Sequence, residues 1–404
     1  MSTDVTTNPP AALDGIRVVE MGQLLAGPFC GQLLGDFGAE VIKIEPPEVG
    51  DPLRQWGRGK SDGRSLWWPI VGRNKMSVTL DLRTAEGQEV ARRLIASADV
   101  LLENFRPGTL ERWGLDPATL WELNPGLVIV RVTGFGQDGP YSSQAGYGSI
   151  GEAMGGLRYI TGDPDRPPSR TGLSIGDSLA GTYAALGALA ALRAREHTGR
   201  GQIVDSAIYE AVLAMTESLV SEWDAVKYQR ERTGAVLPNV APSNVYPTSD
   251  GAEILIAANQ DTVFGRLAAL MGRPELADDP RYRDHNARGH HQEELDGIVA
   301  DWTATCASGP LLADLNAAGV PAGRIYRAED MFDDPHFLAR EAIVRVPHDE
   351  LGDLAMQNVA PKLSETPGRV RWAGTALGSH TDAVLGDLGL GTEEIADLRR
   401  RGVV

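Results

Sequence analysis

The sequence predicts an α/β protein in which a large domain, built on a parallel, doubly wound sheet, is joined to a smaller α+β domain. The chain has 404 residues, more than a typical single domain contains. Its first half alternates short β-branched runs with amphipathic stretches. After Glu222 the composition changes, and prolines punctuate a polar stretch. We therefore place the large domain at 1–222, completed by a C-terminal return over 335–404, and the small domain with its linkers at 223–334.

The elements follow from local patterns. Apolar and β-branched runs predict strands at 16–20, 41–45, 77–80, 100–103, 127–133, 202–207 and 254–258. Amphipathic stretches predict helices at 27–37, 85–97, 178–195, from 208 onward, at 263–271, at 293–306 and near the C-terminus. Because the runs in the first half are almost continuously apolar, they suit strands buried on both faces, which is typical of parallel sheets.

Charge and cysteine content restrict the partners and the compartment. Acidic residues outnumber Lys and Arg by 55 to 38, and the net charge of -17 repels nucleic-acid phosphates, so we expect no nucleic-acid partner. The two cysteines, Cys30 and Cys306, have no partners at metal-ligand spacing, which predicts no bound metal and a reducing, cytoplasmic location. The apolar run 180–192 is shorter than the roughly 20 residues of a membrane span, and residues 1–13 lack the pattern of a signal peptide.

Three familiar motifs are incomplete or lack the flanking residues that their functions require. Gly59-Lys60-Ser61 resembles the end of a phosphate-binding loop, but Arg54 stands where the leading glycine belongs. No Gly-x-Gly-x-x-Gly follows the first strand, which argues against a nicotinamide enzyme. The segment 172–176 matches the Gly-x-Ser-x-Gly of α/β-hydrolases, but Pro167 and Pro168 precede it where a strand is required. A hydrolase using Ser174 is therefore only a remote alternative.

Asp177 precedes an Ala-rich helix. Such a carboxylate commonly only stabilises the helix N-terminus. The same amides also keep a carboxylate ionised, and the neighbouring glycines leave space for an acyl group, so Asp177 is a candidate covalent nucleophile. Arg83, Arg106 and Arg112 lie near the ends of the predicted βα units, where they are either phosphate ligands or ordinary surface charges.

A series of segments, taken in order, resembles the class III CoA-transferases of the CaiB/BaiF family. The matching segments run from end to end of the chain: Leu13–Glu20, Ala26–Pro28, Leu34–Glu45, Leu80–Arg83, Glu103–Gly108, Gly134–Gly136, Gly176–Asp177, Thr198–Gln202, Gly319–Gly323 and His380–Asp382. The resemblance implies a Rossmann-like large domain, a small domain and a homodimer of two interlocked rings. It also implies transfer of CoA from an acyl-CoA to a free carboxylic acid, with coenzyme A entering as the acyl-CoA substrate.

The resemblance assigns roles to individual residues. Asp177 matches the family nucleophile, which forms an acyl anhydride and then an aspartyl-CoA thioester, and Tyr147 matches a tyrosine near the reacting carbonyl. Gln23, Leu24 and Ala26 fall where the family lines the thioester end of CoA. The nucleotide end would be held by Leu80, Arg83, Asn104, Phe105 and Arg112. Core packing is the alternative role for Leu80, Phe105 and Tyr147.

Two departures from the family pattern narrow the substrate. Gly148 stands where many members carry an acidic residue, and the short segment 241–244 replaces the glycine-rich loop of the oxalate-specific members, so oxalate is not expected. Segments 155–157 and 161–163 are similar to members associated with succinyl-CoA and short dicarboxylates, which we take as the predicted substrates. A 2-methylacyl-CoA racemase is an alternative, but it needs a proton-shuttling His where this chain has Tyr147. Intramolecular CoA transfer and a non-catalytic CoA-binding module also stay open.

Overall fold

The central sheet has six parallel strands in the computed structural model, which describes residues 10–404. We number them β1 to β6 in chain order: Arg17–Glu20, Glu40–Glu45, Lys75–Thr79, Val100–Glu103, Val128–Thr133 and Ile203–Ala207. They lie in the order β3-β2-β1-β4-β5-β6, and every neighbouring pair is parallel. The predicted α/β class and parallel sheet are confirmed. The direction of growth reverses between β1 and β4, and a sheet of this order binds its ligands at the carboxyl ends of the strands at that point.

Alternate residues of the strands feed two separate hydrophobic clusters. Val18 of β1 packs with the helices Ala26–Asp36 and Ile175–Thr198, whereas Val19 packs with the helix Ala85–Ala96 and with residues near the C-terminus. Successive side chains of a strand point to opposite faces, so burial in both clusters means that the sheet is covered on both sides. This is the physical origin of the continuous apolar runs in the sequence.

Helices and short elements connect these strands. The helices of the first half are Ala26–Asp36, Trp68–Val71, Ala85–Ala96, Thr109–Arg112, Pro117–Leu123, Gly148–Met154, Leu157–Ile160, Ile175–Thr198, Ile208–Leu213 and Leu219–Val226. A 3-10 turn, Pro52–Arg54, and a small hairpin, Lys60–Ser61 with Arg64–Ser65, follow β2. Lys60 and Ser61 of the Gly-Lys-Ser motif form the first strand of this hairpin, so the motif is exposed and does not cap a helix.

The second half is divided between two compact units. The small unit comprises Tyr159–Arg170 and Tyr228–Phe337, and the large unit comprises the other described residues. An antiparallel sheet of the small unit contains Ser243–Pro247, Glu253–Ala257 and Ala322–Arg324. Its helical segments are Asp261–Leu270, Pro274–Ala277, His285–His290, Gln292–Thr303, Ser308–Ala317 and Ala328–Asp333, and Pro335–Ala339 crosses the boundary. In the large unit the C-terminal part forms the hairpin Ile343–His348 with Gly352–Gln357 and the helices Thr381–Asp387 and Thr392–Arg400.

The helix Ile175–Thr198 is longer at both ends than the sequence predicts. By length and composition it is the one helix among residues 10–404 that could cross a membrane, and in the fold it packs closely against Ala26–Asp36: a Cβ added at Gly181 would lie 2.6 Å from the Ala26 carbonyl oxygen. It ends at Gly199, which has φ +67. Because it begins at Ile175, Asp177 lies in its first turn.

Candidate active site

A cavity of about 200 Å³ lies where the loops after β1, β4 and β5 meet. All of the residues that the sequence analysis assigned to the reaction centre and to the thioester end of CoA line it, together with two that were assigned to the nucleotide end. Those lining residues are Gln23, Leu24, Ala26, Asn104, Phe105, Tyr147 and Asp177. The cavity is therefore at the crevice that the strand order predicts as the ligand site.

The carboxylate of Asp177 packs directly on the backbone of Gly148. A Cβ built at Gly148 would lie 2.2 Å from Oδ2 of Asp177 and 2.7 Å from its Cγ. Gly176 is also confined, since a Cβ there would lie 2.9 Å from the carbonyl oxygen of Gly148. Carbon atoms do not approach other heavy atoms this closely, so Asp177 can hold this position only because residue 148 is a glycine. Gly148 thus departs from the family pattern at a position where the local packing leaves no room for a side chain.

The buried Glu152 fixes the start of the helix that carries Asp177. Its Oε1 accepts a long hydrogen bond from the Gly176 amide at 3.5 Å, and its Oε2 forms an ion pair of 2.6 Å with Arg158. Glu152 is 1% exposed, and it lies one turn after Gly148 on the same face of the helix Gly148–Met154. The sequence analysis missed this residue, although a Glu at the fourth position after Gly148 is a usable signal.

The Asn104 side chain clamps the loop after β1. Its Oδ1 accepts from the Gln23 amide at 2.7 Å, and its Nδ2 donates to the Gln23 carbonyl oxygen at 2.8 Å. Close packing accompanies this pairing, because a Cβ at Gly22 would lie 2.8 Å from Oδ1 of Asn104. The amide of Asn104 therefore joins the loops after β1 and β4, and Gln23 is part of the cavity wall.

A buried ion-pair network supports the same loop. Leu24 adopts a left-handed backbone conformation with φ +64, and its amide donates to both carboxylate oxygens of Asp51 at 3.2 Å. Lys43 pairs with Asp51 at 2.9 Å and with Glu20 at 3.0 Å, and it donates to the Gly22 carbonyl oxygen. Burial alone would lower the pKa of Lys43, but these carboxylates hold it above its usual value. The sequence analysis missed this network. The charged residues at alternate positions of β2 are the pattern that could have indicated it.

A second groove, of about 430 Å³, is also lined by residues of the loop after β1 and contains Leu80 and Arg83. Gln23 and Phe105 line both the groove and the cavity, so the two spaces share a wall. Phe105 and Trp113 form an edge-to-face pair with ring centroids 5.1 Å apart at this groove. Leu80 is 1% exposed and belongs to the hydrophobic core, which agrees with the core-packing alternative. Its contact with CoA stays a prediction.

The arginines assigned to CoA differ in their surroundings. Arg83 makes a bidentate pair with Asp81, with distances of 2.8 Å from Nε to Oδ1 and from Nη2 to Oδ2, and this pairing lowers the pKa of Asp81. Arg112 donates to Thr109 Oγ1 at 2.9 Å and lines neither the groove nor the cavity. Its contact with CoA stays a prediction. Within residues 10–404, no group of three or more His, Cys, Asp or Glu side chains is arranged to hold a metal ion.

Comparison with known proteins identifies the family. The family described as "CoA-transferase family III" matches residues 13–381. The chain is 58% identical to the succinyl-CoA–D-citramalate CoA-transferase of Chloroflexus aurantiacus, over 98% of this chain and 99% of that protein. It is 37% identical to the succinate–glutarate CoA-transferase of Agrobacterium fabrum, over 96% and 98% of the two chains.

Solved structures agree with this result. A CaiB/BaiF family protein from Brucella suis matches with a TM-score of 0.82 and 36% identity, covering 94% of this chain and all (100%) of that one. The resemblance noted in the sequence is therefore confirmed over nearly the whole chain. The protein is a CoA-transferase and belongs to CoA-transferase family III.

Proposed function

We propose that this enzyme transfers CoA from succinyl-CoA to a short dicarboxylic acid, with D-citramalate as the first acceptor to test, through covalent intermediates on Asp177. The observation that carries the proposal is the Asp177 carboxylate, seated on Gly148 in the cavity where the loops after β1 and β4 meet. The relative that is 58% identical supports the choice of donor and acceptor. Asp177 lies in the first turn of the helix, where a carboxylate interacts favourably with the positive end of the helix dipole.

The first half-reaction captures the succinyl group. A carboxylate oxygen of Asp177 attacks the thioester carbonyl carbon, the C–S bond breaks, and CoA leaves as a thiolate, which yields a succinyl-aspartyl anhydride. The thiolate then attacks the aspartyl carbonyl carbon of the anhydride. This step forms an aspartyl-CoA thioester and releases succinate, so the acyl activation is retained on the enzyme.

The second half-reaction runs the same steps in reverse with the acceptor. A carboxylate oxygen of the acid attacks the aspartyl-CoA carbonyl carbon, forms a new anhydride and expels the CoA thiolate. The thiolate then attacks the acceptor's acyl carbon, and the C–O bond to Asp177 breaks. Free Asp177 and the product thioester result, and no proton is consumed in either half.

The other cavity residues position the thioester and stabilise charge. The Gln23 side chain and the Tyr147 hydroxyl supply polar groups at the cavity wall, where a hydrogen-bond donor stabilises the negative carbonyl oxygen that develops during each attack. Leu24 and Ala26 form the wall on the side of the helix Ala26–Asp36. The groove with Leu80, Arg83 and Phe105 takes the nucleotide end of CoA, since it shares Gln23 and Phe105 with the reactive cavity.

The test is a product assay. Purified protein is incubated with succinyl-CoA and, one at a time, D-citramalate, L-malate, glutarate, oxalate and a monocarboxylic acid, and the CoA products are identified by mass spectrometry. We expect a new dicarboxyl-CoA and stoichiometric succinate. Hydrolysis of succinyl-CoA alone, or no product with any acid, would overturn the proposal. Deuterium uptake at the α-carbon of a 2-methylacyl-CoA would instead support the racemase.

Arg83 provides a prediction for the nucleotide end. We expect Arg83→Ala to raise the Michaelis constant for succinyl-CoA by about tenfold to a hundredfold, because a charge-assisted hydrogen bond to a CoA phosphate is lost. The Michaelis constant for the free acid should stay the same, and the effect should shrink as salt rises. Arg193→Ala, which removes an exposed arginine paired with Glu196, is the matched control. Unchanged succinyl-CoA binding in the Arg83 variant would contradict the assignment.

We also propose an interlocked homodimer in the cytoplasm. The reason for the compartment is the pair of free cysteines, of which Cys30 is buried and its thiol has a raised pKa because of desolvation. Interlocked chains must unthread to separate, so the dimer should persist on dilution. Sedimentation velocity over a wide concentration range should give a single dimer species, and a monomer at the lowest concentrations would contradict it.

A further inference from the structure

The cavity that contains Asp177 also contains a cation that the mechanism above does not use. Among the described residues that line the cavity, Arg106 is the only Lys, Arg or His. Within the described part of the chain, its guanidinium has no hydrogen bond or ion pair, whereas that of the buried Arg131 pairs with Glu103 and Glu111. A cation without a protein partner, in the wall of the cavity that also contains the Asp177 carboxylate, is available to an anionic ligand.

The backbone holds Arg106 at this wall. The preceding residue, Phe105, donates its amide to Glu103 Oε2 at 2.7 Å, and Thr109 donates its amide to the Arg106 carbonyl oxygen at 3.1 Å. Pro107 follows Arg106 and restricts its backbone to extended conformations. The side chain is therefore anchored at its base although its head is exposed.

The negative charge of a dicarboxylic acyl group explains why its binding site needs a cation. The succinyl group carries an ionised carboxylate two methylenes away from the thioester carbonyl. When the carbonyl is in place for attack, this charge enters the cavity that already contains the Asp177 carboxylate, and two like charges repel there. A guanidinium compensates for that repulsion and matches a carboxylate with two parallel hydrogen bonds.

We propose that Arg106 binds the distal carboxylate of the succinyl group and, after succinate leaves, the distal carboxylate of the acceptor acid. This inference rests on the proposed function and adds a basis for its specificity: Arg106 selects dicarboxylic acyl groups and places their other end at Asp177. One anchoring site serves both half-reactions, because donor and acceptor each present a free carboxylate to it.

The test compares two donors that differ only at the distal group. In butyryl-CoA a methyl group replaces the distal carboxylate of succinyl-CoA. We expect Arg106→Gln to lower kcat/KM for succinyl-CoA by about 10- to 100-fold and to leave kcat/KM for butyryl-CoA unchanged, with the same acceptor. The Michaelis constant for the dicarboxylic acceptor should rise, and that for a monocarboxylic acceptor should not. Arg106→Lys should retain part of the preference because it keeps the charge without the planar fork.

Controls separate this inference from the proposed function. Arg193→Gln removes the same charge from the exposed face of the helix Ile175–Thr198 and should leave kcat/KM for both donors unchanged. Thermal melting checks that each variant folds. An equal loss for both donors would place Arg106 on the CoA moiety, and no loss for either would make it a surface charge; each result overturns the inference while CoA transfer by the parent stands. Absence of transfer from succinyl-CoA in the parent refutes the proposed function itself.

Discussion

Asp177→Ala should abolish CoA transfer, with a loss of at least about a thousandfold in kcat, because the variant has no oxygen to form the anhydride. Binding of CoA should stay close to that of the parent, since the groove with Leu80 and Arg83 does not include residue 177. The melting temperature should also change little, because Asp177 is only partly buried. Asp177→Asn should be as inactive, which separates loss of the nucleophile from loss of side-chain volume.

The intermediate can be located on one peptide. Trypsin should release residues 171–193, and Asp177 is the only Asp or Glu in that segment. After incubation with succinyl-CoA and quenching with hydroxylamine, the parent should carry a hydroxamate on this peptide, because hydroxylamine cleaves both anhydrides and thioesters. The Asp177→Asn protein should carry none. Asp301→Ala, at an exposed site on the helix Gln292–Thr303, is the control and should keep both activity and adduct. A modified peptide elsewhere, or activity above a few per cent in the alanine variant, would refute the assignment.

Gly148→Ala should reduce kcat about a hundredfold or more while leaving the fold stable. The new methyl group would lie 2.2 Å from Oδ2 of Asp177, so the carboxylate must move, and a displacement of about 1 Å at a reacting group can cost a hundredfold in rate. The atoms that the methyl group would meet are the carboxylate atoms of Asp177. They lie at the end of a side chain that can rotate away, so we do not expect the variant to unfold. Steady-state kinetics and thermal melting distinguish the two effects.

The matched control is Gly386→Ala. Gly386 also lies in a helix of the large unit, and a Cβ there has no heavy atom within 4 Å. This variant should keep full activity and gain slightly in stability, as Gly-to-Ala changes in helices generally do. Gly148→Glu, which restores an acidic residue at this position, should be at least as impaired as Gly148→Ala. Full activity in either Gly148 variant would show that Asp177 does not depend on the glycine for its position.

The α/β class, the parallel sheet and most helices and strands were predictable from local patterns in the chain, because they depend on local periodicity. The strand Val100–Glu103 has the predicted bounds, and the other strands of the large sheet differ by at most two residues at either end. The apolar runs predicted burial on both faces, which the two hydrophobic clusters bear out. The family resemblance identified the candidate site residues, and seven of them line the cavity.

The contacts between these residues depend on the three-dimensional fold and not on local patterns. Asp177 contacts Gly148, Asn104 clamps Gln23, and Lys43 pairs with Asp51, although each pair is far apart or unpatterned in the sequence. The strand order places β1 beside β4, and local periodicity does not encode which strands become neighbours. Whether an arginine is paired or open to a ligand also depends on three-dimensional neighbours: Arg131 pairs with Glu103, whereas Arg106 lines the cavity. The type of each residue was readable from the chain, but its availability for chemistry was set by the packing around it.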